Sequence, residues 1–306
     1  MNSRSTVILI PAHNRCRTTL RCLHTLRETG SLAWATAVVI DDGSTDGTSQ
    51  AIAAEFPHVV LLAGDGNLWW TGALTRGMSF AASHRAEQIV WLNDDCFPHQ
   101  GALEALVAHT RQHGCISVAQ SFTPVGAWYG GHRKTWWGLK QVTCPDDEIR
   151  ECDAFSGNCV CIPSGIVEAI GLPDGDTFPM DPADADYGLR ARAAGFSVQV
   201  VGAASCDSGF EPAQRKVSWL LGEESSRSIW QSFSTRNTTY GFAIYRRFCV
   251  RHWGPWGYVL FCLPYLRFGC TALLRILIPK TWLLKLYRTR SQAWQHGERA
   301  KKAGPE

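Results

Sequence analysis

Two pairs of adjacent carboxylates close apolar runs in this chain: Asp41-Asp42 after Ala37-Val38-Val39-Ile40, and Asp94-Asp95 after Ile89-Val90-Trp91-Leu92-Asn93. A third acidic set follows in Asp181-Pro182-Ala183-Asp184-Ala185-Asp186. Neighbouring carboxylates repel each other unless a cation or strong donors neutralise them. Oxygen-only ligands select magnesium or manganese over zinc. In an open α/β sheet, acids at the carboxyl ends of strands face the crevice where ligands bind. Each cluster also has a plain structural reading. Asp-Gly-Ser-Thr-Asp-Gly is turn and N-cap chemistry, Asp94-Asp95 has a lesser reading as a solvated turn, and acids at 184 and 186 suit a helix start.

The elements that must position these groups follow from hydrophobic period. Strands over 6–11, 36–41, 58–62 and 88–93 alternate with helices over 16–29, 46–55, 72–84 and 100–113, a βαβ pattern that implies a mainly parallel sheet flanked by helices. Residues 115–163 read as short strands continuing the same sheet, with 122–150 as a long irregular binding loop. The third acidic cluster lies ahead of Ala191-Arg192-Ala193-Ala194-Gly195-Phe196, read as a short helix closed by a glycine. Two regions are expected, a catalytic domain over 1–210 and a C-terminal helical region over 211–306.

Taken in order, Ile10-Pro11-Ala12-His13-Asn14-Arg15, Asp41-Asp42-Gly43-Ser44-Thr45-Asp46, Asn67 to Gly72, Asn93-Asp94-Asp95, Phe155-Ser156-Gly157-Asn158 and Asp184-Ala185-Asp186-Tyr187-Gly188-Leu189-Arg190 resemble an inverting family-2 glycosyltransferase with the GT-A fold. The resemblance covers roughly residues 5 to 210. The last motif, with Asn67-Leu68-Trp69-Trp70-Thr71-Gly72, leans toward bacterial rhamnosyl- and galactofuranosyl-transferase-like members that build surface polysaccharides.

Such chemistry needs the leaving diphosphate neutralised and the attacking hydroxyl deprotonated. The resemblance implies a nucleoside-diphosphate sugar donor, UDP- or dTDP-linked, a glycan or lipid-linked glycan acceptor, and Mg2+ or Mn2+ as cofactor. It assigns Asp95 to the metal, Asp94 and Asn93 to the nucleotide or sugar, and Asp184 to the role of base. Asp42 falls on the pyrimidine and His13 against its face beside Pro11, with Asn67 near the donor. Asp41 is either a second nucleotide contact or a turn acceptor. Trp69 and Trp70 either stack on sugar or pack in the core. Gly157, Asn158 and Asp186 fall on the acceptor side, with Arg236, Asn237 and His252 read as further contacts to the acceptor or its diphosphate.

Two departures from the family pattern stand out. Ala183 occupies a place where many members carry an acid. Asp207 stands where a strand end in relatives often carries a metal-binding histidine, and either ligates the metal through oxygen or caps a turn.

Other chemistries lack their motifs: no Gly-x-x-x-x-Gly-Lys-Ser/Thr loop, no His-Glu-x-x-His, and no complete Gly-x-Gly-x-x-Gly after a strand. A nucleotidyltransferase would need a glycine-rich loop that Pro11 to Arg17 does not supply. A rival of another class is a non-catalytic partner that binds nucleotide sugar or glycan, which Ala183 and Asp207 favour and Asp95 and Asp184 oppose. The twelve cysteines contain no Cys-x-x-Cys pair and no secretory signal precedes them, so reduced thiols in the cytoplasm are expected. Cys144, Cys152, Cys159 and Cys161 are weighed as a zinc set against buried core thiols, the favoured reading.

The two regions carry opposite charge. Residues 1–210 hold fourteen basic and twenty-two acidic residues, and residues 211–306 hold sixteen basic and five acidic. From Trp253 to Tyr287 aromatic and aliphatic residues alternate with Arg267, Arg275, Lys280 and Lys285, broken by Pro255, Pro264 and Pro279. No apolar run reaches the length of a spanning helix. A peripheral contact with anionic lipid on the inner face of the cytoplasmic membrane and packing on protein are both read for this segment. Nucleic acid has no recognition motif in its favour.

Overall fold

The computed structural model describes residues 5–122, 128–142, 144–146, 148–209 and 241–277. The first half alternates as expected: β1 (Thr6–Ala12), α1 (Cys16–Glu28), α2 (Ser31–Trp34), β2 (Thr36–Asp41), α3 (Thr48–Glu55), β3 (Val60–Ala63), α4 (Trp69–Ser83) and β4 (Gln88–Leu92). Then come β5 (Cys96–Pro98), α5 (Ala102–His113), β6 (Ile116–Phe122), β7 (Trp128–Tyr129), β8 (Gly131–Thr135), β9 (Gly138–Gln141), β10 (Ile149–Cys152), β11 (Ala154–Phe155), β12 (Cys159–Pro163), α6 (Ser164–Ile170), α7 (Ala183–Ala193), β13 (Val198–Ser208), α8 (Phe242–Trp253) and α9 (Trp256–Leu277).

The main sheet runs β10-β13-β6-β12-β4-β1-β2-β3, with β5 paired to β13 and β7 to β6. Six of those eight path strands point the same way, β12 and β10 being reversed. Strand alternation divides the core into two layers. Ile8, Ile10, Val39 and Val90 meet α1, α3 and α5 through Leu23, Leu26, Ile52, Leu103 and Leu106. On the other face Val7, Leu9, Ile40 and Trp91 meet α4, α6 and α7 through Leu74, Met78, Ile166 and Tyr187. Gly77 permits that contact, since a Cβ there would lie 2.9 Å from the side chains of Leu9 and Ile40.

Two sequence expectations need correction here. The described part of 122–150 is not an irregular loop: β8 and β9 form a hairpin that joins β11 in a separate three-stranded sheet, and β10 edges the main one. The zinc set is ruled out by sheet geometry, because Cys144 and Cys152 lie in one core layer and Cys159 and Cys161 in the other. Among the described residues no group of three or more His, Cys, Asp or Glu converges to hold a metal.

The described C-terminal helices pack on the catalytic body. Ile244, Phe248 and Cys249 of α8 and Leu260 and Phe261 of α9 join Ala154, Phe178, Ala183, Ala185 and Leu189 in a third apolar cluster. Ala183 is therefore a packing residue, buried where a carboxylate would lack solvent.

Candidate active site

Because β1, β2, β3 and β4 are parallel neighbours, their carboxyl ends open on one edge, and β1 and β2 end in register with Ala12 opposite Asp41. The loops after them are stitched together. Asn14 donates its backbone N–H to Ser44 Oγ at 2.8 Å and accepts the Thr45 N–H at 2.8 Å. His13 Nδ1 donates to the Asp42 carbonyl at 2.6 Å, fixing an exposed ring at the rim beside Pro11.

Asp41 resolves as a turn acceptor. One oxygen takes the Ser44 N–H at 3.0 Å and the other the Ser49 hydroxyl. Asp42, expected on the base, uses its carboxylate inside the protein: Oδ1 accepts Gly66 N–H at 2.8 Å and Leu68 N–H at 3.2 Å, and Oδ2 accepts Trp69 N–H at 3.0 Å. It thus caps α4 and shapes the loop that carries Asn67, whose side chain stays at the surface. That capping holds Trp69 at φ 57°, a region bulky residues avoid and one that recurs at functional sites.

Residues from three distant segments meet beside this loop. Trp70 Nε1 donates to Asn93 Oδ1 at 2.8 Å, and Asn93 Nδ2 donates to Asn158 Oδ1 at 3.1 Å. Gly157 lies under the Trp70 ring, where a Cβ would come within 2.6 Å of Cη2 and 3.2 Å of Asp184 Cβ. Gly157 N–H donates to Asp184 Oδ2 at 2.7 Å, and Ala185 N–H to Oδ1 at 2.7 Å. Burial, and then the nearby Asp181, push the Asp184 carboxyl up to about 7. A carboxylate near neutrality, aimed by backbone donors, has the strength a general base requires.

At the same strand end Asp94 and Asp95 share one cation from the protein. Arg15 sets Nη1 3.2 Å from Asp94 Oδ1 and donates Nη2 to Asp95 Oδ2 at 2.9 Å. Thr19 Oγ1 donates to Asp94 Oδ2 at 3.1 Å. Burial raises Asp94 to about 6 against the pull of Arg15. The three groups sum to one negative charge, and Asp95 Oδ1 accepts no hydrogen bond among the described residues. Asp95 therefore fits one oxygen contact to a hard cation that other ligands complete.

Two expected site residues are engaged by other partners. Asp207 pairs with Phe97 of β5, two residues along from Asp95, and sets its 65% exposed carboxylate 3.1 Å from His99. Asp186 is buried and accepts Arg251 Nη1 at 3.1 Å and His252 Nε2 at 2.8 Å, so it anchors α8 instead of facing an acceptor. His252 is committed to the same network. Arg236 and Asn237 lie outside the described residues. Asp184 and Asp186 do not precede a short helix but lie in the first turn of α7, with Asp181 just ahead of it. The motifs contain Arg15 and Asp181 without disclosing the Arg15 clamp or the place of Asp181 beside Asp184; the one sequence signal for Arg15 is a cation directly before α1.

The model of glycosyl transferase family 2 matches residues 7–160, half of the chain. The chain belongs to glycosyltransferase family 2. In fold, this family-2 glycosyltransferase is similar to GalNAc-T7 crystallised with UDP, GalNAc and Mn2+, with a TM-score of 0.54 and 16% identity over 66% of this chain and 43% of that one. It is also similar to the mannosyltransferase PcManGT from Pyrobaculum calidifontis, in complex with GDP-Man and Mn2+, with a TM-score of 0.54 and 14% identity over 94% and 80% of the two chains. Residues 1–349 of S. aureus TarS give a TM-score of 0.50 and 12% identity over 81% and 80%. These likenesses support the GT-A fold. The chain spans less than half the length of the GalNAc-T7 structure. No curated protein aligns significantly with it in sequence.

Proposed function

We propose that this glycosyltransferase is metal-dependent and inverting, and moves a sugar from a UDP- or dTDP-linked donor to a hydroxyl of a glycan or lipid-linked glycan in cell-surface polysaccharide synthesis. The rhamnosyl-type assignment rests on the motif resemblance, and work at the inner face of the cytoplasmic membrane belongs to the same reading. The observation that carries the proposal is the junction of Asp184 with Gly157, Trp70, Asn93 and Asn158, one residue along the chain from Asp94-Asp95.

In this reading the acceptor hydroxyl attacks the anomeric carbon from the Asp184 side. The new C–O bond forms as the bond to the diphosphate oxygen breaks, and Asp184 takes the hydroxyl proton. Trp70 and Asn93 form the wall against which the donor sugar lies, and His13 and Pro11 flank the base. Asp95 would hold Mg2+ or Mn2+, which would supply Lewis-acid neutralisation of the leaving diphosphate. Arg15, half-exposed beside it, adds a second positive charge on that side.

Calorimetry of UDP and dTDP binding, with and without manganese, tests the donor site on the intact protein and on Asp95→Ala. Metal-dependent binding of one nucleotide, lost in the variant, is expected. Asp184→Asn should keep that binding and lose transfer. If a folded sample binds neither nucleotide at about millimolar concentration, the donor assignment fails.

A further inference from the structure

The tip of the β8–β9 hairpin and the outer face of α9 carry apolar side chains that the catalytic body leaves uncovered. Trp136 and Trp137 are 66% and 56% exposed, and both rings lie against Trp256 at the start of α9, with centroids 6.0 and 5.6 Å away. The platform is held from beneath, since Trp256 Nε1 and Trp253 Nε1 each donate at 2.7 Å to the carbonyls of Trp136 and Thr135. Along α9 the residues facing the body, Leu260 and Phe261, are buried. Val259, Leu263 and Leu266 recur at helical spacing on the opposite side and are exposed, Leu266 at 65%. A helix apolar on both faces needs a second apolar partner.

The charges on the described helices of this surface have one sign. No Asp or Glu occurs between residues 241 and 277. Arg246 is exposed one turn after Phe242, whose ring packs on Phe261 and Tyr265 of α9, and Arg247 is exposed beside it. Arg133, Lys134 and Lys140 are exposed on the hairpin. A second copy docked through its own α8 and α9 would set arginine against arginine, with no acid on those helices to pair them. A soluble glycan would use the tryptophan rings but not the aliphatic stripe.

We infer that the hairpin tip and the outer face of α9 together form a docking surface for an anionic lipid bilayer. Tryptophans and aliphatic side chains enter the headgroup boundary while the cations meet lipid phosphates. None of the described helices is long and apolar enough to cross a membrane, so the contact is peripheral. The hairpin sets the working height. Gly131 pairs with Phe155, two residues from Gly157, and the strand from there to the tip spans about 17 Å. Asp184 would then stand within reach of a sugar carried on a lipid diphosphate. The inference deepens the membrane part of the proposed function and does not depend on the donor.

Co-sedimentation of the full chain with phosphatidylcholine vesicles, with and without about 30% phosphatidylglycerol, tests it without metal or nucleotide. Binding to the anionic vesicles is expected, with tryptophan quenching by brominated lipid. Trp136→Ser with Trp137→Ser, and Arg246→Glu with Arg247→Glu, should each weaken partitioning by about tenfold or more. Both double variants should keep the parent's melting temperature and far-UV circular dichroism, which shows them folded and separates failure here from failure of the donor site. Absence of vesicle binding, or equal binding by the parent and both variants, overturns the inference. So does a dimer seen by ultracentrifugation and abolished by the tryptophan variant, which would assign the surface to a second copy.

Discussion

Asp184 Oδ2 accepts the backbone N–H of Gly157 at 2.7 Å, tying the first turn of α7 to the loop between β11 and β12. The bond aims the carboxylate while Trp70 walls the same space, which ties the proposed base to the proposed donor wall.

Replacing Asp184 with Asn preserves an acceptor for Gly157 and removes the proton acceptor. Turnover should fall by about a hundred- to ten-thousand-fold with nucleotide affinity unchanged. In the parent, kcat/KM should rise about tenfold per pH unit up to about 7, where Asp184 ionises, then level off. Stability runs the other way. The raised carboxyl holds a proton in the native state that the unfolded chain has released above about pH 4, so stability drops as pH climbs from there to about 7. Melting curves of Asp184→Asn and parent should coincide near the acid end and separate, variant higher, toward neutrality.

Arg15→Gln removes the cation shared by Asp94 and Asp95. Manganese affinity without nucleotide, read by electron paramagnetic resonance, should increase several-fold as a competing positive charge is lost. Arg15 is 44% exposed, so the stability loss at neutral pH is held to about 1 kcal/mol. It should shrink on acidification, since Asp94 already titrates at about 6 and moves higher without its partner. A weaker manganese site in the variant would show that Arg15 helps build the metal site instead of competing for it.

Asp42→Ala leaves the amides of Gly66, Leu68 and Trp69 without an acceptor. Denaturant unfolding should register a loss of about 3 kcal/mol. A variant as stable as the parent, but unable to bind nucleotide, would return Asp42 to the pyrimidine.

Asp186→Ala should free α8. With His252 left unpaired in a buried setting and Arg251 held by Asp174 alone, about 1 to 3 kcal/mol should be lost, and amide exchange over 242–253 should quicken. The acceptor KM should hardly change at temperatures where the variant is folded.

The alternating strands and helices of the first half were legible because burial on both sheet faces imposes an unbroken apolar code on β1, β2 and β4, and each ends abruptly in polar residues. The Asp-rich strand ends and the family motifs were legible for the same reason, as local breaks in that code. Tertiary structure decided what each acid does. Asp41, Asp42 and Asp186 look alike in sequence to Asp94, Asp95 and Asp184, yet the first three satisfy a turn, a helix start and an interhelical ion pair. A carboxylate's task is set by which donors reach it, and the donors to Asp42, Asp184 and Asp186 come from residues 24 to 66 positions away, apart from one neighbour's amide at Asp184. The hydrophobic pattern carries no record of those distances; the closing of the sheet brings them together.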